Sequence, residues 1–128
     1  VNEVKSDLIT PSANYSLLGS AAIDGSNPVT VSLGDNKIND YDFLWIGNAY
    51  YNSGVATYGC VLVPTICMNY LYGGDAGVAI ISRDNKNSGV TPINAKYNAK
   101  TNNIVFDPEG NPAGQYYFVN GVKIRTAS

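Results

Sequence analysis

Paired carboxylates are the first candidates for chemistry in this chain, and Asp40 and Asp42 form one close pair. Two carboxylates that face each other across a glycosidic bond, one with a raised pKa, would make a glycan hydrolase. Residues two apart share one face of a strand. Both aspartates, however, lie where a turn leads into a predicted strand, and Asp at such junctions usually accepts hydrogen bonds from backbone N–H groups. A structural role is therefore the favoured interpretation.

The absence of histidine removes most other catalytic and metal-binding arrangements. It excludes Ser-His-Asp and Cys-His catalysis, and also histidine-based zinc sites. Residues 84–89 superficially resemble a calcium loop, but the glutamate that such a loop needs at its twelfth position is missing, so a solvated turn is favoured. We therefore predict no enzymatic activity, no metal site and no cofactor.

The two cysteines, Cys60 and Cys67, have neither a zinc-site spacing nor the Cys-x-x-Cys spacing of a redox pair. We expect both to be small, buried apolar side chains. If Val63-Pro64-Thr65 forms a turn, the two sulfurs could instead lie opposite one another and form a disulfide bond.

Tyrosine and asparagine are the residues that favour a binding surface, with 10 and 16 copies respectively. Tyr offers a rigid aromatic face and a hydroxyl, and Asn offers both a donor and an acceptor, which together suit sugars. The segment Asn48-Ala-Tyr-Tyr-Asn-Ser53 follows the most apolar predicted strand, and Asn69-Tyr-Leu-Tyr-Gly-Gly-Asp75 is a second candidate. The predicted contact residues are Tyr50, Tyr51, Asn52, Tyr70, Tyr72 and Asp75. The alternative is that these tyrosines pack at strand edges and the asparagines only form turns.

Charge and hydropathy limit the classes of partner. The formal charge is −2 and the eight basic residues are scattered, so a phosphate-binding patch for nucleic acid is disfavoured, as is attraction to an anionic membrane. No apolar run approaches the ~20 residues of a membrane helix, so membrane insertion is not expected.

Short runs rich in Tyr, Val, Ile and Thr, separated by Asn, Gly and Pro, predict an all-β antiparallel sandwich of jelly-roll type. We assign residues 1–13 to a linker or short stalk and residues 14–128 to the sandwich. The strongest turn signal is Asn120-Gly121, which predicts a type I′ hairpin. The predicted strands are 15–21, 29–33, 41–47, 56–63, 66–72, 78–82, 104–106, 115–119 and 122–125.

Several of these strands are apolar on both faces. In residues 41–47, Tyr41, Phe43 and Trp45 alternate with Leu44 and Ile46. A sheet with one solvated face should alternate apolar and polar side chains. We therefore expect the second face to be covered by further copies of the chain, with Trp45 in the core or in a subunit interface.

Two segments of the chain resemble receptor-binding domains from the tail fibres of tailed bacteriophages. They are Pro28-Val-Thr-Val-Ser-Leu33 followed by Asn39-Asp-Tyr-Asp-Phe-Leu-Trp-Ile46, and then Val61-Leu-Val-Pro64 with Gly77-Val-Ala-Ile-Ile81. The resemblance covers about residues 15–82. It implies a β-sandwich head on a homotrimeric fibre of the virion, which attaches to a saccharide or protein of the host cell surface. Two alternatives remain open: a purely structural fibre or capsid-decoration module, and a glycan hydrolase whose carboxylates come from different subunits.

Overall fold

The structure is a computed structural model that describes residues 13–69 and 77–124. Eight strands dominate it: β1 (Ala13–Ala22), β2 (Val29–Ser32), β3 (Phe43–Ala49), β4 (Thr57–Pro64), β5 (Val78–Arg83), β6 (Val90–Asn98), β7 (Asn103–Pro108) and β8 (Tyr116–Ile124). A 3-10 helix (Ile38–Asp40) precedes β3, and a short helix α1 (Thr65–Asn69) follows β4.

The strands form two four-stranded sheets in which all neighbours are antiparallel. Sheet A has the order β1-β8-β3-β4, and sheet B has the order β2-β7-β6-β5. The prediction of an all-β fold with two antiparallel sheets is therefore confirmed.

The core lies between the two sheets and follows the two-residue period of the strands. Sheet A contributes Leu44 and Ile46, and sheet B contributes Ile93 and Ile104, all of them fully buried. The sheets also meet through aromatic rings: Tyr117 of β8 stacks on Phe106 of β7, with ring centroids 4.6 Å apart and planes 14° from parallel.

The predicted Asn120-Gly121 hairpin is wrong, because both residues lie inside β8. Asn120 pairs with Leu17 and Trp45 in the neighbouring strands. The backbone at Gly121 has no positive φ, and the absence of a side chain there lets the ring of Tyr41 pack against it: a Cβ at Gly121 would come within 2.6 Å of that ring. Tertiary packing thus overrides a strong local turn signal.

Three further predictions are corrected. Thr65–Asn69 is helical rather than the start of a strand at Ile66. Cys60 and Cys67 are exposed free thiols, not buried side chains, because Cys60 points to the outer face of sheet A and Cys67 lies on the helix. Strand β6 has no counterpart among the predicted strands, since Pro92 and alternating polar residues make Val90–Asn98 look like a loop. The predicted turn at Gly73-Gly74-Asp75 and residues 70–72 lie outside the described residues.

The outer faces of the two sheets differ in chemistry. The strand registers place the following side chains on the outer face of sheet A: Tyr15, Leu17, Ser20, Ala22, Tyr116, Phe118, Asn120, Val122, Ile124, Phe43, Trp45, Ala49, Thr57, Cys60, Leu62 and Pro64. None of them is charged. The outer face of sheet B carries Thr30, Ser32, Ala79, Ile81, Arg83, Val90, Pro92, Asn94, Lys96, Asn98, Asn103, Val105 and Asp107.

The sandwich has two ends about 20 Å apart, the length of the seven-residue strand β3. Ala13 and Ile124 are ladder partners at one end, here called the Ala13 end. β1 therefore begins at the last residue of the predicted linker, and residues 1–12 lie outside the description. Backbone hydrogen bonds join Ile23 to Gln115, Gln115 to Ala49 and Ala113 to Arg83, so the loops 23–28, 50–56, 84–89 and 109–115 gather at the other end, the Tyr50 end.

Candidate functional site

The first predicted contact segment forms a tight loop of residues 50–56 between β3 and β4. The backbone N–H of Tyr50 donates to the carbonyl of Ala56 (3.2 Å), and the N–H of Gly54 donates to the carbonyl of Tyr51 (3.1 Å). Gly54 has φ 92° and Ala56 has φ 59°, so the chain reverses through two left-handed residues. The loop is consequently closed by its own backbone hydrogen bonds.

Two aromatic side chains project from this loop into solvent. Tyr50 is 44% exposed and Tyr51 is 53% exposed, and Asn52 beside them is also exposed, as the sequence predicts. The two rings pack edge to face, with centroids 4.9 Å apart at an angle of 83°. One ring therefore braces the other, which leaves a ring face and two hydroxyls available to a ligand.

The loop is fastened to the outer face of sheet A by a buried asparagine. Asn120 is only 4% exposed, and its Nδ2 donates to the carbonyl oxygen of Ser53 at 3.1 Å. Gly54 lies flat on Phe118 and Asn120: a Cβ added there would come within 3.1 Å of both side chains. Sequence reasoning misses this support, because Asn120 has the signature of a turn residue.

The second predicted contact group, Tyr70, Tyr72 and Asp75, lies outside the described residues. The segments that flank it do have known positions. Helix α1 follows Pro64, which pairs with Phe43 at the start of β3, and β5 begins at Val78 opposite Ala95. Both attachment points are therefore remote from residues 50–56.

A polar cleft of about 590 Å³ opens at the Ala13 end. Its lining residues are Asn14, Ser16, Asn39, Asp40, Tyr41 and Lys123. They come from β1, β8 and the segment before β3, so no local sequence motif indicates the cleft. It combines amides, a hydroxyl, an aromatic ring and one charge of each sign, which suits a small polar ligand better than an apolar one.

Two of the acidic residues singled out in the sequence, Asp42 and Asp84, accept hydrogen bonds from the backbone, and Asp40 lines the polar cleft. Asp42 Oδ2 accepts a hydrogen bond from the backbone N–H of Ile124 at 2.8 Å, and so ties the start of β3 to the end of β8. Asp84 Oδ1 accepts from the N–H groups of Lys86 (2.8 Å) and Asn87 (3.2 Å), which is the solvated turn favoured above. Within residues 13–69 and 77–124, no three acidic or cysteine side chains come together as a metal site.

Beneath the Tyr50 end lies a buried polar cluster centred on Asn48. Asn48 Nδ2 donates to Ser82 Oγ (2.6 Å) and to the carbonyl of Ala113 (2.7 Å), which links β3, β5 and the loop before β8. Beside Asn48 in the ladder, Tyr117 is fully buried, and in the described part of the chain its hydroxyl has no hydrogen-bond partner. Burial, with a smaller contribution from Asp107, raises the pKa of Tyr117 to about 12. Asn48, Ser82 and Tyr117 are fully buried, and the hydrogen bonds of Asn48 join sheet A to sheet B and to the loop that contains Ala113.

The comparisons with known proteins give no relative. No family model, no characterised protein and no solved structure matches the chain. No helix among the described residues is long and apolar enough to cross a bilayer.

Proposed function

We propose that this chain is a receptor-binding domain of the kind found on bacteriophage tail fibres, and that it attaches to a saccharide or protein of the bacterial surface. The observation that carries the proposal is the tyrosine pair of residues 50 and 51, whose rings are exposed and packed edge to face on a loop closed by backbone hydrogen bonds. Aromatic side chains fixed before binding lose little conformational entropy on contact, so they are efficient anchors. Asn52 adds a donor and an acceptor for hydroxyl groups.

The position of the loop supports the same function. Residues 50–56 lie at the end of the sandwich opposite to Ala13 and Ile124. On a fibre whose shaft precedes β1, the tyrosine pair would point away from the shaft and towards the cell. This arrangement suits attachment better than a role as a spacer between other modules.

The proposal includes a homotrimeric, virion-borne assembly with a jelly-roll-like sandwich. β1 pairs with β8 and β2 pairs with β7, while β3–β4 and β5–β6–β7 are consecutive hairpin partners. Several copies on one particle multiply a weak contact into firm attachment. A single Tyr-based site of modest affinity would then be sufficient.

The test uses the full chain, fluorescently labelled, on a panel of bacterial cells and on an array of bacterial glycans. We expect saturable binding, and at least a tenfold loss of affinity when Tyr50→Ala and Tyr51→Ala are combined, because the ring pair supplies the central contact. Val90→Ala, at an exposed residue of sheet B (68% exposed), is the matched control and should leave binding unchanged. Binding that survives the double substitution would refute the site. Absence of saturable binding to every cell and glycan would favour the structural module, and release of reducing sugar would favour the hydrolase.

A further inference from the structure

The floor of the polar cleft at the Ala13 end lies on the inner side of sheet A. The register of β1 and β8 turns Asn14, Ser16 and Lys123 towards the side of the sheet that carries the core. Strand β2 of sheet B packs on β1 further along, where Gly19 contacts the backbone of Ser32. The three polar side chains are exposed, so this end of the inner side is open to solvent instead of being buried under sheet B.

The opposite wall of the cleft comes from the segment before β3. The ring of Tyr41 lies on Gly121, and it also packs against the core, so the fold sets its position. Asp40, at the end of the 3-10 helix, and Asn39 complete the lining. The cleft thus joins an aromatic wall to a polar floor, and its volume of about 590 Å³ falls within the roughly 300–1,000 Å³ of small-molecule sites.

Most polar groups of the cleft do not hold the fold together. In the part of the chain that the structure describes, no hydrogen bond or ion pair is made by four of the lining side chains: Asn14, Ser16, Asp40 and Lys123. Asp42, two residues beyond Asp40, is by contrast bonded to the backbone of β8. A ligand can therefore engage the four side chains without breaking a bond of the fold.

The hydrogen-bonding capacity of these side chains matches a set of hydroxyl groups. The Asp40 carboxylate only accepts, the Lys123 ammonium only donates, and an amide or a hydroxyl such as that of Ser16 does both. A hydroxyl can satisfy each of them, and its bonds to the two charged groups are about twice as strong as bonds between neutral groups. A sugar ring also has an apolar face of C–H groups that can pack against the Tyr41 ring.

The charges of the cleft restrict the ligand further. Asp40 and Lys123 contribute opposite charges that cancel, so the cleft does not favour a ligand with a net charge. A free amino acid could pair with both charges, but it has no array of hydroxyls for Asn14 and Ser16. We propose that the cleft at the Ala13 end binds a short neutral saccharide. This inference goes beyond the proposed function and does not depend on it, because the loop of residues 50–56 lies at the other end of the sandwich.

The test titrates the isotope-labelled full chain with sugars and follows the backbone amides by NMR. The neutral probes are the methyl glycosides of glucose, galactose and mannose, together with N-acetylglucosamine, and the charged probes are glucuronate and glycine. We expect saturable shifts in residues 14–16, 39–41 and 121–123 with at least one neutral sugar, and no shifts in residues 50–56.

Substitutions then assign the binding to the cleft. Asp40→Ala and Lys123→Ala should each weaken it at least about tenfold, because each removes a charge-assisted hydrogen bond. Asp35→Ala and Lys100→Ala are the matched controls, since they remove exposed charges outside the cleft and should leave the affinity unchanged. Thermal unfolding by circular dichroism checks that all four variants fold.

The outcomes separate this site from the loop of residues 50–56. The inference is overturned if none of the neutral sugars binds saturably, if Asp40→Ala binds as tightly as Asp35→Ala, or if glucuronate or glycine binds more tightly than the neutral sugars. Shifts confined to residues 50–56 would also overturn it, while supporting the proposed function. Combining Tyr50→Ala with Tyr51→Ala should leave the titration of the cleft unchanged, so either site can fail without the other.

Discussion

The outer faces of the two sheets have the same strand geometry, but sheet B presents charged side chains and sheet A presents none. On sheet B, Lys96, Asp107 and Arg83 point outwards, and most inward positions are apolar, as expected for a sheet with one solvated side. On sheet A the outward positions are as apolar as the inward ones. The alternation of apolar and polar side chains that is typical of a half-solvated sheet is therefore present in sheet B and absent from sheet A.

Strand β8 shows how apolar side chains on the outer face of sheet A are partly buried. Tyr117 and Phe118 point to opposite sides of sheet A, yet both are fully buried. Tyr117 is covered by sheet B through Phe106, whereas Phe118 is covered by Trp45 and by Gly54 of the loop of residues 50–56, here called the tyrosine loop. Part of a second core thus exists within one protomer, and the candidate contact loop forms its edge.

The largest expected effect comes from Trp45→Ala, set against Val105→Ala on the outer face of sheet B. Loss of Trp45 removes the two ring contacts that organise the sheet A face and should destabilise the protein by about 3 kcal/mol. Val105→Ala should cost less than about 1 kcal/mol. Urea denaturation and light scattering provide the measurements, and we expect monomer or aggregate for Trp45→Ala. An unchanged oligomer would place the role of Trp45 within the protomer.

The core between the two sheets gives a second comparison, which is the dependence of folding stability on pH. The pKa of Tyr117 is about 12 in the folded chain and near 10 when unfolded, so the folded chain retains a proton that the unfolded chain releases. Stability is therefore complete below pH 10 and falls by at most about 2.7 kcal/mol as the pH rises to 12.

Tyr117→Phe should flatten this alkaline decline without loss of stability at neutral pH, because the hydroxyl it removes is buried without a partner. The measurement is the urea unfolding midpoint of the wild type and of Tyr117→Phe across that pH range. Parallel curves for wild type and variant would contradict the assignment.

A smaller effect should follow from Asn120→Ala, compared with Thr30→Ala on the outer face of sheet B. Asn120 holds the carbonyl of Ser53, so its loss should cost about 1–2 kcal/mol and speed amide hydrogen exchange in residues 50–56. Thr30 is exposed, and its substitution should stay within about 0.5 kcal/mol. If exchange in the tyrosine loop is the same in both variants, Asn120 does not position that loop.

Much of this architecture is predictable from local pattern. The apolar runs that become β3, β5 and β7 are recognisable because their neighbours in sequence are Gly, Asn and Asp. Exposure of Tyr50 and Tyr51 follows equally from their position after an apolar strand. These predictions depend on residues close together in the chain.

Three of the failures involve residues that are distant in the chain. Asn120-Gly121 continues a strand because Ser53 and Tyr41, more than sixty residues away, occupy the space around it. β6 tolerates Pro92 because Pro92 lies in the part of the strand that pairs with β5 alone, whereas Ile93 to Ala95 pair with both β5 and β7. The cleft at the Ala13 end draws on three separate segments. The local sequence propensity of a segment does not report its contacts with distant residues.

The pairing of Ala13 with Ile124 has a practical consequence. Because Ala13 and Ile124 are partners on one rung of the β1–β8 ladder, the two ends of residues 13–124 lie side by side, and we expect that a surface loop of another protein would accept this segment as an insertion. The same proximity would allow a short linker to join the two ends of the chain and new termini to be introduced in the loops at the Tyr50 end. Such inserted or circularly permuted versions would present the tyrosine pair on scaffolds unrelated to any fibre.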